Sequence, residues 1–119
     1  MQREPRAYLA DVVAACDAIA LDIAGVELDT YLEARTIRSA VEREFIIIGE
    51  AINALGTLEP DVFSRITQAR KVVDFRNQLT HSYMTVNDKL VWAYAVQNAP
   101  RLRDECAALL AELDAAGAD

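Results

Sequence analysis

Histidine, cysteine, proline and glycine are all scarce in this chain, whose 119 residues include one His, two Cys, three Pro and four Gly. So few turn-forming residues argue against a many-stranded sandwich or barrel. Cys16 and Cys106 stand alone, without the CxxC spacing of a zinc site, and a single histidine adds too few soft ligands. We therefore expect no metal, no other cofactor, and two reduced, buried thiols.

Long apolar runs are also missing. Charged residues interrupt every apolar stretch before it reaches the roughly 20 residues that a membrane span needs. The N-terminal segment meets Asp11 before any long apolar block forms, so a secretory signal is not expected. We expect a cytoplasmic protein that does not bind a membrane.

The residues that are abundant predict one helical domain over residues 1–119. Apolar residues make up 53% of the chain and charged residues 26%, which is the composition of a folded protein. Alanine and leucine dominate the apolar set, and both favour helix. A chain of this length is enough for one domain of ordinary size.

Apolar residues recur at steps of three and four and predict an all-α, up-and-down bundle of four to five helices. Ile46 and Ile47 widen the apolar sector of the second helix, so two surfaces should contact it, and one could be another subunit. The predicted helices cover residues 8–23, about 30–55, 68–82 and 88–98, with one or two helical turns within 61–66 and a last helical stretch ending near residue 113.

Several residues mark the expected helix ends. Gly25 and Gly56 should terminate the first and second helices, and the segment 30–33 has the S/T-x-x-E form of a capping box. Asn87 should cap the fourth helix, and Pro100 should either kink it or lie in the first turn of a fifth.

The net charge of −7 argues against a broad nucleic-acid surface, because phosphate binding normally needs a basic patch. The acidic excess lies at the ends of the chain. Residues 1–33 carry two basic and seven acidic side chains, whereas residues 34–89 carry eight basic and seven acidic ones. The middle of the chain can therefore bind an anion locally. The candidate contacts there are Arg35, Arg38, Arg43, Arg70 and Lys71.

Residues 74–83 read DFRNQLTHSY and hold the only histidine. At about 100° per residue, Asn77 and His81 lie about 40° apart on one helical face, and Arg76 and Tyr83 nearly coincide. Arg76 and His81 diverge by about 140°, so one helix alone makes an imperfect paired site. A two-fold dimer presents each group twice around one cleft, and the spacing therefore favours a shared site.

The chemistry of these groups suits RNA cleavage. An imidazole exchanges a proton near neutral pH, and a guanidinium binds phosphate while staying charged. His81 would serve proton transfer as the 2′-hydroxyl attacks phosphorus, Arg76 would stabilise the phosphoryl oxygens, and Asn77 would orient a partner. The products would be a 2′,3′-cyclic phosphate and a 5′-hydroxyl, and DNA would be inert.

Each of these residues also has a purely structural interpretation. A histidine near a helix C-terminus often acts as a cap or dipole partner. Arg76 and Asn77 could make ordinary surface pairs, and Tyr83 could bury its ring and expose its hydroxyl. Spacing alone does not decide between these interpretations, because no physical rule reserves R-x4-H for enzymes.

The motif Arg76-Asn77-Gln78-Leu79-Thr80-His81-Ser82-Tyr83 resembles the HEPN superfamily, and within it the HepT-like toxins of prokaryotic toxin–antitoxin pairs, whose signature is R-x4-H-x-Y. The resemblance extends over most of the chain. Tyr8-Leu9 opens the first helix, Ile47-Ile48-Gly49-Glu50-Ala51 lies in the second, and Val91-Trp92 follows the motif, all in matching order.

The resemblance implies an all-helical, two-fold homodimer that cleaves RNA without metal. Arg76 and His81 would be the ribonuclease pair, Asn77 the polar residue that follows the arginine, and Tyr83 the acceptor of AMP. The partner implied is a small nucleotidyltransferase antitoxin that uses Mg-ATP, as in type VII-like toxin–antitoxin pairs. The added AMP would occlude the cleft and repel the RNA backbone.

Two other hypotheses use the same surface. The first is a helical subunit without turnover that holds the nucleotide or the acceptor of a nucleotidyltransferase. The second is an interaction module that binds no small ligand. Cleavage of RNA by the purified chain in EDTA separates the toxin from the first, which has no turnover. The second predicts that Tyr83→Phe leaves regulation by the partner untouched, whereas under the toxin hypothesis the partner can no longer silence that variant.

Overall fold

A computed structural model describes residues 3–117, apart from the side chain of Tyr83. Helices account for most of that range and no strand occurs within it, which confirms the all-α prediction. The elements are α1 (Pro5–Asp22), α2 (Leu28–Glu33), α3 (Arg35–Leu58), α4 (Pro60–Ser64), α5 (Ala69–His81), a 3₁₀ turn (Tyr83–Thr85), α6 (Asp88–Ala93), a π segment (Tyr94–Asn98) and α7 (Ala99–Gly117).

Helix α3 is the centre of the bundle. It packs against α1 on one side and α5 on another, while α1 also packs against α7. The core is apolar, and residues 3–117 include no buried polar or charged residue. Burying each large aliphatic side chain contributes about 1.5–3 kcal/mol. The largest fully buried side chains are Tyr31, Leu9, Ile19, Ile48, Ile52, Leu55, Val12, Val41, Val91 and Cys106.

Local signals set several helix ends as predicted. Gly25 has a φ of +73°, which a residue without Cβ adopts readily, and it follows the end of α1. The Asn87 side chain accepts a hydrogen bond from the Leu90 N–H at 3.2 Å and caps α6. Helix α1 begins three residues earlier than predicted, because Pro5 is well suited to the first helical turn.

The predicted second helix is broken at Ala34, so the capping box at residues 30–33 is wrong. Thr30 lies inside α2, which has no side-chain cap. The Arg38 side chain donates a hydrogen bond to the Leu32 carbonyl at 2.6 Å, so a carbonyl group at the end of α2 has a partner. The break lets Tyr31 enter the core, where its ring lies 5.1 Å from that of Trp92.

Gly56 does not terminate α3, which continues to Leu58. The terminator is Pro60, since the residue before a proline disfavours helical backbone, and Glu59 accordingly has φ −142° and ψ 74°. Gly56 instead admits the Phe63 ring of α4, whose nearest atom would lie 3.1 Å from an added Cβ.

Pro100 lies in the first turn of α7, one of its two predicted places. The π segment joins α6 to α7 without a break, and the Ala99 N–H bonds the Tyr94 carbonyl five residues back. Pro100 cannot donate a helical hydrogen bond, and the wider π turn accommodates that missing donor.

Candidate active site

Helix α5 carries the sequence motif and packs on α3. It begins after Gln68, a residue in left-handed backbone with φ 57°, and buries Ala69, Val73 and Leu79. The opposite face of α5 is exposed to solvent. The motif residues therefore divide between the α3 interface and the solvent.

Arg76 lies on the side of α5 that meets α3. A Cβ added at Gly49 would lie only 2.2 Å from the Cβ of Arg76 and 2.7 Å from its Cγ. Only glycine at position 49 allows this close approach of the two helices. Packing on Gly49 therefore holds the Arg76 stem in place.

Residue Arg76 as a whole is half-buried. Its Nε is buried without a hydrogen-bond partner. Among the ion pairs found within residues 3–117, none includes Arg76. A buried donor without a partner carries a desolvation cost, which an incoming anion would offset.

His81 is the last residue of α5 and is exposed. Its position at the C-terminal turn is favourable for a cation beside the helix dipole. The imidazole makes no hydrogen bond with the described part of the chain, and the Ser82 N–H caps the helix by bonding the Gln78 carbonyl at 2.9 Å. The imidazole is thus accessible for proton transfer.

Asn77 is exposed on the face that also carries His81. The neighbouring Thr80 hydroxyl lies 3.1 Å from the Arg76 carbonyl and 3.2 Å from the Asn77 carbonyl, so it is occupied by the helix backbone. The structure brings Asn77 and His81 to one face, and it directs Arg76 towards α3. Within residues 3–117, no hydrogen bond joins Arg76 to His81.

Tyr83 lies beyond the end of α5. Helix α5 ends at His81, as the predicted end at about residue 82 indicated, and the Tyr83 backbone lies in the 3₁₀ turn that follows. The predicted coincidence of Arg76 and Tyr83 on one helical face is therefore wrong. The Tyr83 side chain lies outside the described part of the structure, and its role as AMP acceptor stays a prediction.

The sequence reasoning missed a groove between α5 and the start of α7. The groove has a volume of about 530 Å³ including its opening to solvent, and Phe75 and Tyr94 line it. A second depression, of about 360 Å³, lies on the other side of Phe75 and reaches Ser82 and Asn87. The apolar period gave no sign of this groove, because the convergence of Phe75 and Tyr94 depends on how α5 packs beside the π segment.

The other candidate cations differ in their surroundings. Arg38 binds the carbonyl end of α2 and lies 3.7 Å from Asp88, so it is occupied within the fold. Arg70 lies over the Phe63 ring at 5.4 Å. Arg35, Arg43 and Lys71 are exposed.

Two further features concern residues 3–117. None of the helices there is both long enough and apolar enough to cross a membrane. The described side chains of His, Cys, Asp and Glu nowhere form a group of three or more that could hold a metal ion.

A family model described as "Ribonuclease HepT-like" matches residues 13–109, a range that includes Gly49, α5 and the groove. The chain belongs to the HepT-like ribonuclease family. Arg76, Asn77, His81 and Tyr83 all lie inside the range that matches the HepT-like model. The resemblance seen in the sequence is thereby confirmed at the level of the family.

Relatives of this HepT-like chain share its length at low identity. A protein of Caldanaerobacter subterraneus subspecies tengcongensis named "Putative RNase TTE0752" is 23% identical over 108 residues, which cover 91% of this chain and 96% of the relative. A protein of Methanocaldococcus jannaschii named "Putative RNase MJ1380" is 24% identical over 104 residues, which cover 87% and 94%. No solved structure matches the chain.

Proposed function

We propose that this HepT-like chain is a metal-independent endoribonuclease toxin whose active site combines Arg76 and His81 from two copies of the chain. The observation that carries the proposal is that Arg76 is held in place but has no partner for its charge among the described residues. Its stem is fixed on Gly49, its Nε is buried without a partner, and no carboxylate among the described residues pairs with it. An arginine held in this way is prepared for an anion that the chain itself does not supply.

The RNA phosphate supplies that anion. The 2′-oxygen attacks the adjacent phosphorus, forming the 2′-O–P bond as the P–O5′ bond breaks. An imidazole of His81 accepts the 2′-hydroxyl proton, and the imidazolium of the second copy donates a proton to the leaving 5′-oxygen. Arg76 stabilises the charge that gathers on the non-bridging oxygens. Asn77 lies on the same face of α5 as His81, and its side chain orients the group that it contacts there.

The shared site follows from the divergence of the two groups. Arg76 lies at the α3 interface, and His81 lies about 140° away around α5. A two-fold axis beside α5 places the imidazole of one copy near the guanidinium of the other, because an isologous contact brings the same surface of both copies together. Dimerisation is thus part of the proposed mechanism.

The proposed regulation is covalent. A small nucleotidyltransferase antitoxin transfers AMP from ATP to the Tyr83 hydroxyl, forming a phosphodiester and releasing pyrophosphate. Tyr83 follows His81 by two residues, so the added phosphate and base occupy the approach to the imidazole. The negative charge of the AMP also repels an incoming RNA strand.

The experiment that tests the proposed function is an incubation of the purified chain with total RNA and EDTA. We expect fragments that end in a 2′,3′-cyclic phosphate and begin with a 5′-hydroxyl. A matched oligonucleotide with 2′-deoxyribose at the cleaved step should remain intact. If the wild-type chain leaves RNA uncut with EDTA and also with added Mg²⁺, it has no turnover on RNA, and the non-catalytic subunit of a nucleotidyltransferase becomes the better account.

A further inference from the structure

The groove between α5 and α7 carries an inference about how RNA is held. Phe75 forms part of the groove wall and precedes Arg76 directly, so the groove lies along the helix that carries the candidate active site. Its other wall comes from Tyr94 and Asn98 of the π segment and from Arg101 of α7. π turns occur often at functional sites, where they change the direction of side chains.

Aromatic rings form the floor and one side of the groove. Phe45 is buried at 5% exposure and meets Phe75 edge-to-face at 5.3 Å. Phe75 in turn meets Tyr94 edge-to-face at 4.9 Å, and both of these rings stay partly exposed. The exposed parts of Phe75 and Tyr94 offer an apolar aromatic surface to a flat ring.

Two cations lie at the mouth of the groove, one on each side. Lys71 and Arg101 are both exposed, and neither belongs to an ion pair within residues 3–117. Glu105, one helical turn after Arg101, would be its natural partner. The Glu105 carboxylate instead accepts hydrogen bonds from the N–H and hydroxyl of Thr67.

The cations therefore remain available to an anion in a chain whose net charge is −7. The Glu105 carboxylate keeps its charge beside Thr67, which also lines the groove, so phosphate would be bound by direct contact with the Lys71 and Arg101 side chains. The amides of Gln68 and Asn98 also line the groove and can exchange hydrogen bonds with a base edge. Aromatic surface, cations and amides are the groups with which proteins hold single-stranded RNA.

We infer that this groove binds one nucleotide of the RNA substrate, with its base against Tyr94 and Phe75 and its phosphate between Lys71 and Arg101. The inference rests on the proposed function and extends it. Lys71 precedes His81 by ten residues, which is about 15 Å along α5. The nucleotide bound here is therefore separate from the step that is cleaved.

The test uses the full-length chain with His81→Ala, which leaves RNA intact during the measurement. Binding of a fluorescein-labelled RNA hexanucleotide is followed by anisotropy for this protein and for versions that add Lys71→Ala with Arg101→Ala, or Tyr94→Leu. The matched control adds Lys89→Ala, which removes an exposed cation of α6 outside the groove. Circular dichroism and the mass in solution are measured for every protein.

We expect the double cation variant to bind at least 10-fold more weakly, with a salt dependence shallower by about 0.7 in log–log slope, because one phosphate is no longer neutralised. Tyr94→Leu should weaken binding by about 5-fold or more, because base–aromatic stacking is lost. Lys89→Ala should change binding less than 2-fold. Losses in the groove variants no larger than that of Lys89→Ala would overturn the inference.

Two further measurements separate this inference from the proposed function. With His81 intact, the groove variants should cleave a dinucleotide at the wild-type rate and a hexanucleotide with raised KM, since only the longer RNA reaches the groove. If wild-type protein cleaves no RNA and the groove variants still lose hexanucleotide binding, the inference that the groove binds a nucleotide is supported and the proposed function is wrong. If the variants change the mass in solution and bind the hexanucleotide normally, the groove is a contact between copies and the inference fails.

Discussion

Replacing Gly49 with alanine tests how the fold positions Arg76. The new Cβ would lie 2.2 Å from the Arg76 Cβ, whereas carbon atoms in contact lie about 3.5–4.0 Å apart. Neither atom can rotate away, because a Cβ moves only with its backbone. Helix α5 must therefore shift from α3 by more than about 1 Å.

The magnitude follows from two opposing terms. Overpacking of this kind costs about 1–3 kcal/mol, and the contact between two rigid atoms places it in the upper part of that range. The better helix propensity of alanine returns about 1 kcal/mol. We expect a net loss of about 1–2 kcal/mol in the free energy of unfolding, measured by urea denaturation. RNA cleavage should fall by up to about 100-fold, because a shift of about 1 Å misplaces the guanidinium.

Gly56→Ala is the matched control on the same helix. Its Cβ would meet ring atoms of Phe63 at 3.1 and 3.2 Å, and a ring on the short helix α4 can move by the few tenths of an ångström required. Stability and cleavage should stay close to wild type. In an Arg76→Gly background, which removes the opposing Cβ, Gly49→Ala should no longer destabilise the fold. A Gly49→Ala protein as stable and as active as wild type would refute the reasoning.

Four more predictions follow from particular residues. Asn87→Ala removes the side-chain cap of α6 and should lower the free energy of unfolding by about 1 kcal/mol in urea denaturation; an unchanged value would contradict the capping role. Burial raises the pKa of the Cys16 and Cys106 thiols from 9.0 to about 12, so both should resist alkylation at pH 8 until the chain unfolds, and rapid alkylation of native protein would disprove their burial. The contribution of the two protonated thiols to the free energy of unfolding is complete below pH 9. It should be lost as pH rises from 9 towards 12, because the unfolded state then releases protons that the folded state retains. Tyr83→Phe should leave RNA cleavage intact and prevent silencing by a co-expressed nucleotidyltransferase, which mass spectrometry of the AMP adduct checks directly.

The sequence predicted the fold well where a local signal decides the structure. Apolar residues spaced three and four positions apart located α1, α3 and α5, and Asn87 located the start of α6. Such signals act within one or two helical turns and need no knowledge of neighbouring helices. The same reasoning identified the helix that carries the candidate site.

Predictions failed where a contact that forms only in the folded chain overrides the local helix preference. The break at Ala34 depends on Arg38 reaching back to the Leu32 carbonyl and on the burial of Tyr31, and neither is visible in the apolar period. Gly56 resembles a helix end in sequence, yet it serves the approach of Phe63. The role of Gly49 against Arg76 likewise requires the packing of α3 on α5.

The motif shows the same division between local and distant effects. The divergence of Arg76 and His81 around α5 follows from helical geometry alone. The buried Nε of Arg76 and the occupation of Glu105 by Thr67 depend on pairs of helices that meet in the folded chain. Charge counting along the sequence therefore identified Lys71 as a candidate contact but not Arg101, on the opposite wall of the groove.

The most direct test of the account is the rate of RNA cleavage in EDTA by the Arg76→Ala and His81→Ala proteins beside the wild type. Helicity and mass in solution are measured for all three proteins, so that loss of folding or of assembly is recognised. The account predicts that wild type produces cyclic-phosphate ends and that both variants, folded and assembled as wild type, produce none. Cleavage by either variant at the wild-type rate would contradict it.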